Sequence, residues 1–299
     1  MTDDASLLSP EIALRLARLS LVARKLASAR RAGRRRTRRV GSGIETIDLR
    51  AYTPGDETRR IAWHAYARLE RLLIRLVADE APLRLTLVVD QSASMGFGSP
   101  TKLRQAARIA AGFAAVALGG EDRVAVAGVR PVTGRAGLPR VLAALERVSA
   151  DGKTDLPGAV RTVLEQSPGR GLCVILSDFF EPHGVLAGAR EARKHGHDVA
   201  LVEVLAPFEI DPPDLDGMDL EDEETGELIE MPPTGTRERF VEALAAHRAA
   251  IDEAARFVDA SVVRTTTAEP FETIVTRALS AGVLGGAPRP RGDETEPRS

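Results

Sequence analysis

A single cysteine, Cys173, leaves no partner for an internal disulfide and no thiolate set for zinc or an iron–sulfur cluster. A reducing cytosol fits that usage. Charge of one sign is also missing: 41 Lys+Arg against 43 Asp+Glu give a net −2, so no whole-molecule field holds nucleic acid or an anionic membrane. Long apolar runs are absent too. The longest weakly polar stretch, Ile109 to Leu118, is about half of the roughly 20 residues that a membrane span needs. Asp3 and Asp4 stand where a secretory signal would carry a basic region, so the chain is expected to stay in the cytoplasm where it is made. What is present is ordinary globular material, 43% hydrophobic and 28% charged over 299 residues, enough for a sizeable core.

Composition divides the chain into four zones. Residues 1–39 are basic, and Ser9-Pro10-Glu11 reads as an N-cap hydroxyl, a first-turn proline and an acid at the positive end of a helix. Ile12, Leu16, Leu19, Ala23 and Leu26 then recur at spacings of four and three, one apolar stripe that must dock on something. The arginines that follow, Arg30 to Arg39, lack interleaved aromatics and read as a solvated connector, with phosphate binding as the alternative. A block at 40–80 carries a Pro54-Gly55-Asp56 turn signal. From 81 to 284 the pattern alternates strand and helix. An acidic segment at 207–233, bracketed by Pro207 and Pro233, reads as an insertion or mobile loop, and the tail at 285–299 as disordered.

The alternating zone begins with the apolar run Leu83 to Val89, followed by a helix bearing Leu103, Ala106, Ala110, Phe113 and Ala117 on one face. Strands are expected at 123–129, 172–176, 199–205 and 261–265, with helices at 138–148, 156–165 and 185–194 and a long one through Phe240, Leu244, His247, Ile251, Ala254 and Val258. The fold class is therefore α/β: a Rossmann-like, mostly parallel sheet with helices on both faces, preceded by a helical N-terminus and a small block.

In such sheets ligands bind beyond the carboxyl ends of the strands. The first strand leaves through Asp90-Gln91-Ser92-Ala93-Ser94, another through Ser177-Asp178, and Gly152-Lys153-Thr154-Asp155 lies in a loop between them. Asp90, Ser92, Ser94, Thr154 and Asp178 make an all-oxygen donor set suited to a hard divalent cation, Mg²⁺ first, with Mn²⁺ or Ca²⁺ as alternatives. Two acids and neutral hydroxyls leave such an ion with an appetite for one more anionic oxygen, so the site is expected to capture a carboxylate.

Asp90-x-Ser92-x-Ser94, then Thr154, then Asp178 resembles the metal-ion-dependent adhesion site of von Willebrand factor A domains. Upstream, Gly43, Glu45, Asp48-Leu49-Arg50, Tyr52, Pro54-Gly55-Asp56, Arg59, Ile61, Trp63 and Ala67-Arg68 resemble the signature of the domain of unknown function 58 family, in which this block precedes an A-type domain. Ala62 and Thr46 depart from it, standing where the family usually has an acid and an aromatic. The resemblance implies a metal-dependent protein-interaction module, an adaptor or chaperone component working with a MoxR-type AAA+ ATPase, and no catalysis of its own. Metal-dependent hydrolysis and nucleic-acid binding through the basic segment are the alternatives. Arg50, Arg59 and Arg68 with Asp48, Glu45 and Asp56 are expected to form a buried ion network, with Trp63 as its apolar anchor.

Other candidates read as structural. Gly152-Lys153-Thr154 lacks the upstream glycine of a phosphate loop, since Arg147 stands there. Ser92 occupies the second acid position that a phosphoaspartate enzyme needs, and no Gly-x-Ser-x-Gly elbow exists. His195 and His197 are expected to be solvated around a C-cap glycine, His247 to be a hydrogen-bonded core residue, and Cys173 a small buried hydrophobe. For the acidic segment the sharper alternative to a solubilising loop is that one of its carboxylates reaches the metal site and competes with the partner.

Overall fold

The computed structural model describes residues 6–37, 49–54, 56, 58, 61–75, 82–151, 155–213, 215–221, 228–230 and 234–283. They fall into two compact units, 1–24 with 83–299 and 25–82. The division runs through the first helix.

Helix α1 (Pro10–Thr37) starts where the capping signal puts it: Ser9 Oγ accepts the Ile12 amide at 3.3 Å, with Pro10 in the first turn. Its stripe does dock. Ile12, Leu16, Leu19 and Ala23 are buried in the larger core, and Ser20 Oγ donates to the Ala115 carbonyl at 2.8 Å. The helix continues as far as Thr37, through most of the arginine-rich stretch; Arg38 and Arg39 lie outside the described residues.

The smaller unit holds β1 (Leu49–Ala51), α2 (Trp63–Leu69) and β2 (Leu73–Arg75), with β1 and β2 antiparallel and Ile61 bridging Ile74. The Thr53 carbonyl accepts the Asp56 amide at 3.0 Å and Asp56 Oδ2 accepts the Thr53 amide at 2.9 Å, which closes the expected turn. Trp63 corrects an expectation. It is 59% exposed and stacks edge-on with Tyr66, while α2 buries none of its seven residues; Ile61, Ala62 and Ile74 are the buried anchors instead. Arg68 is exposed, and the side chains of Glu45, Asp48, Arg50 and Arg59 lie outside the described residues.

The larger unit runs β3 (Arg84–Val89), α3 (Lys102–Gly119), β4 (Arg123–Val126), β5 (Val129–Thr133), α4 (Leu138–Leu145), α5 (Leu156–Gln166), β6 (Leu172–Ser177), α6 (Pro182–Lys194), β7 (Asp198–Leu205), β8 (Asp219–Glu221), β9 (Leu228–Glu230), α7 (Thr236–Phe257), β10 (Ser261–Thr266) and α8 (Phe271–Ala281). Its six-stranded sheet has the order β10-β7-β6-β3-β4-β5, parallel except for β5. This is the α/β doubly wound arrangement expected from the alternation. Strand residues alternate between two cores: Leu85, Leu87 and Val89 face α1, α3, α4 and α8, whereas Val88 faces the layer of α5, α6 and α7 that also takes Cys173 and Ile175. Burial pushes the Cys173 thiol up to about 12, the behaviour of an inert apolar filler.

The antiparallel edge was not expected. Residues 123–129 read as one strand, but Val126 pairs with Val129 across Ala127-Gly128, a two-residue hairpin in which Gly128 has φ +75°. Pro131 is tolerated because β5 is an edge strand. Helix α8 was also missed. Gly112 of α3 lets it approach, since a Cβ there would lie 2.8 Å from a Val275 methyl and 3.2 Å from Leu19. The described parts of the acidic segment are ordered: β8 and β9 form a hairpin, and Asp216 caps α7 by accepting the Thr236 amide at 2.9 Å. The side chains of Asp211 and Arg237 pair beside it. The tail at 285–299 lies outside the described residues.

Candidate metal centre

The strand order reverses between β3 and β6, the crevice where doubly wound sheets bind ligands. Apart from Arg84 and the buried Thr86, both strands are apolar until they end, so the polar side chains that follow emerge together at this switch point. The parallel register pairs Val89 with Leu176, and the Asp90 amide donates to the Leu176 carbonyl at 2.9 Å, which carries the pairing one residue further. Asp90, Ser92 and Asp178 are all buried, at 4%, 1% and 3% exposure.

Asp90 is held by neutral donors. Its Oδ1 accepts the Ser92 amide at 3.0 Å and its Oδ2 accepts the Ser177 hydroxyl at 2.6 Å. The first bond folds the chain back on itself and starts a 3₁₀ turn at Ala93–Gly96. That turn brings the Ser92 and Ser94 hydroxyls into a hydrogen bond, Oγ to Oγ 3.1 Å. Two cis ligands of an octahedral Mg²⁺ at about 2.1 Å lie about 3.0 Å apart, so the hydroxyl spacing fits one edge of such a shell. Among the described residues no three His, Cys, Asp or Glu side chains converge as a metal set. A donor set built chiefly on hydroxyls is the kind these residues offer. Thr154, the remaining expected ligand, lies outside the described residues.

Asp178 is held by ions instead. Its Oδ1 accepts the Phe180 amide at 3.3 Å, and its Oδ2 takes the Lys102 ammonium at 2.8 Å. Lys102 is fully buried; its Nζ also meets Glu209 Oε1 at 2.5 Å and lies 4.7 Å from the Phe180 ring centroid and 5.8 Å from that of Phe97. Glu209 ends a 3₁₀ turn at Pro207–Glu209 directly after β7, and its Oε2 accepts the Ala206 amide at 2.7 Å. Burial pushes the Glu209 carboxyl above the usual range, opposed by the Lys102 charge. Phe179, between Asp178 and Phe180, has φ +60°, a left-handed backbone that a bulky residue adopts only where its surroundings enforce it; here its amide donates to Ser177 Oγ at 3.0 Å.

Asp90, Ser92, Ser94 and Asp178 therefore come from the expected positions to one strand-end crevice. Ser177, Lys102, Glu209 and Phe180 were not singled out. His247 was placed in the core; it is half-buried against Phe180, ring centroids 5.7 Å apart, and its Nε2 has no hydrogen-bond partner. Burial lowers its pKa, while the nearby Glu203 and Asp178 charges pull it up. His197 is likewise not solvated but 1% exposed, although Gly196 beside it has the positive φ expected of a C-cap.

A model of the family described as "Protein of unknown function DUF58" matches residues 48–250. The chain belongs to the DUF58 family. Uncharacterized protein Rv1480 of Mycobacterium tuberculosis and uncharacterized protein Mb1516 of Mycobacterium bovis are each 30% identical over 263 residues, covering 82% of this chain and 83% of theirs. Among solved structures, this DUF58 chain is similar to an aerotolerance-related membrane protein of Bacteroides fragilis, with 18% identity, TM-score 0.42, and coverage of 67% of this chain and 98% of that one. The conserved hypothetical protein BatB of Bacteroides thetaiotaomicron gives 16%, 0.41 and the same coverage. No helix among the described residues is long and apolar enough to cross a membrane.

Proposed function

We propose that this DUF58 protein is a cytoplasmic interaction module that captures an Asp or Glu carboxylate of a protein partner at a divalent cation, with Mg²⁺ as the resident ion. The observation that carries the reading is the 3.1 Å pair of Ser92 and Ser94 hydroxyls beside the buried Asp90, with the buried Asp178 leaving the adjacent strand at the same switch point. Asp90, Ser92, Ser94 and Thr154 would hold the ion, directly or through water, and Asp178 would act from the outer shell. When bound, the cation supplies an electrophilic coordination position for an external carboxylate. Everything else is done by the chain: Ser177 orients Asp90, the Asp90–Ser92 bond sets the hydroxyl spacing, and the exposed Phe180 and Phe208 offer an apolar rim. The partner implied by the family resemblance is a MoxR-type AAA+ ATPase, for which this chain would present clients, with ATP chemistry confined to the ATPase.

The test is binding of the purified chain to a MoxR-type ATPase from the same genome, measured by calorimetry in Mg²⁺ and again in chelator. Complex formation in Mg²⁺ that Asp90→Ala abolishes while the circular dichroism spectrum is kept supports the reading. A complex indifferent to both chelator and Asp90→Ala refutes it. Hydrolysis is the second reading: Glu209, paired with Lys102, and His247, packed against Phe180, are an acid and an imidazole on the Asp178 side of the site. Turnover of a phosphoester or peptide panel, lost in Asp90→Ala, would favour it.

A further inference from the structure

Lys102 stands in an electrostatically awkward place. It is the first residue of α3, an 18-residue helix whose N-terminal end favours anions, and it is fully buried. What holds its charge there is a pair of acids from two different segments: Asp178 at the end of β6, with Nζ–Oδ2 2.8 Å, and Glu209 in the turn after β7, with Nζ–Oε1 2.5 Å. Asp178 belongs to the outer shell of the proposed metal site; Glu209 does not. One ammonium thus joins a residue of the site to a residue outside it.

We propose that Lys102 is a resident counter-ion that an incoming divalent cation displaces from Asp178, and that Glu209 is the acceptor to which it retreats. The inference rests on the metal reading above and adds its regulation. A cation held at Ser92 and Ser94 competes with Lys102 for Asp178, because the ammonium occupies one oxygen of that carboxylate and repels a second positive charge. Release costs least when the ammonium keeps another buried acceptor. Glu209 is fixed for that purpose: its other oxygen is tied to the Ala206 amide at 2.7 Å, and the preceding Phe208 packs edge-on against Phe97 at 5.9 Å, in the loop that follows the two serines. Filling the site therefore leaves the ammonium paired with the Pro207–Glu209 turn alone.

The experiment is Mn²⁺ titration of the full chain, following free Mn²⁺ by electron paramagnetic resonance, for wild type, Glu209→Gln, Lys102→Met and the double variant, with Asp90→Asn as control. Glu209→Gln is expected to weaken Mn²⁺ binding by about tenfold and Lys102→Met to tighten it by about tenfold or more, the scale of one unit charge removed a few ångströms from the ion. The double variant, which removes one acid together with the ammonium and so keeps a foldable site if Lys102→Met alone does not fold, is also expected to bind more tightly than wild type. Wild-type affinity in Glu209→Gln, or no gain in either variant lacking Lys102, overturns the proposal while leaving the metal reading intact. Silence of wild type with binding in the Lys102 variants supports the ammonium as the barrier. Silence in all four chains overturns both.

Discussion

The two halves of the site neutralise their acids by opposite means. On the β3 side Asp90 is satisfied by an amide and a hydroxyl, groups without charge. On the β6–β7 side Asp178 is satisfied by a buried ammonium shared with Glu209. Neutral donors leave the negative charge of Asp90 in place for a cation, whereas an ion pair cancels it. On the metal reading proposed above, the β3 half would take a cation without rearrangement, whereas the β6–β7 half would exchange one cation for another.

The comparison breaks most visibly at Lys102. In metal-free buffer Lys102→Met leaves two largely buried acids without their ammonium and is expected to cost about 3–5 kcal/mol in urea unfolding. Mn²⁺ is expected to restore more stability to this variant than it adds to wild type. A smaller loss is expected on the neutral side. Ser177→Ala strips Asp90 Oδ2 of its donor and the Phe179 amide of its acceptor, at about 1–3 kcal/mol by the same measurement. If the two variants cost the same, the distinction between an ionic and a neutral half is wrong.

The smallest effect belongs to His247, beside Phe180 on the ionic side. Burial depresses its folded-state pKa below the usual histidine value, so between the two pKa values the unfolded chain binds more protons than the folded one. Its contribution is complete above about pH 6.5, the unfolded value, and is lost as pH falls through the lower folded one. Melting temperatures followed from pH 7.5 to 5 should decline less in His247→Gln than in wild type. An unchanged slope would show that Glu203 and Asp178 offset the burial.

Much of this was legible because strong local signals agreed with the fold. Ser9-Pro10 marked the start of α1, and the apolar runs ending at Asp90 and Asp178 identified two adjacent strands whose exits meet. The serine pair was readable from its place directly after an apolar strand, together with Thr154 and Asp178, rather than from its spacing alone. What stayed hidden depended on contacts between distant segments. Lys102 reads as an ordinary helix-start residue, and Glu209 as one acid among many. The only clues were a lysine on the wrong end of a helix dipole and an acidic stretch without basic partners. Hairpin β4–β5 hid in a valine- and alanine-rich stretch, Val124 to Val129, whose only turn residue is Gly128. Trp63 misled for the opposite reason: a lone tryptophan reads as an anchor, yet the seven residues of α2 bury none of their faces.

The central claim, that Ser92 and Ser94 share a divalent cation, is tested most directly by anomalous diffraction from crystals grown with Mn²⁺. The account predicts a single peak about 2.1–2.2 Å from both hydroxyl oxygens, with the Lys102 ammonium moved off Asp178. A crevice without an anomalous peak at saturating Mn²⁺, with Lys102 still on Asp178, would contradict it.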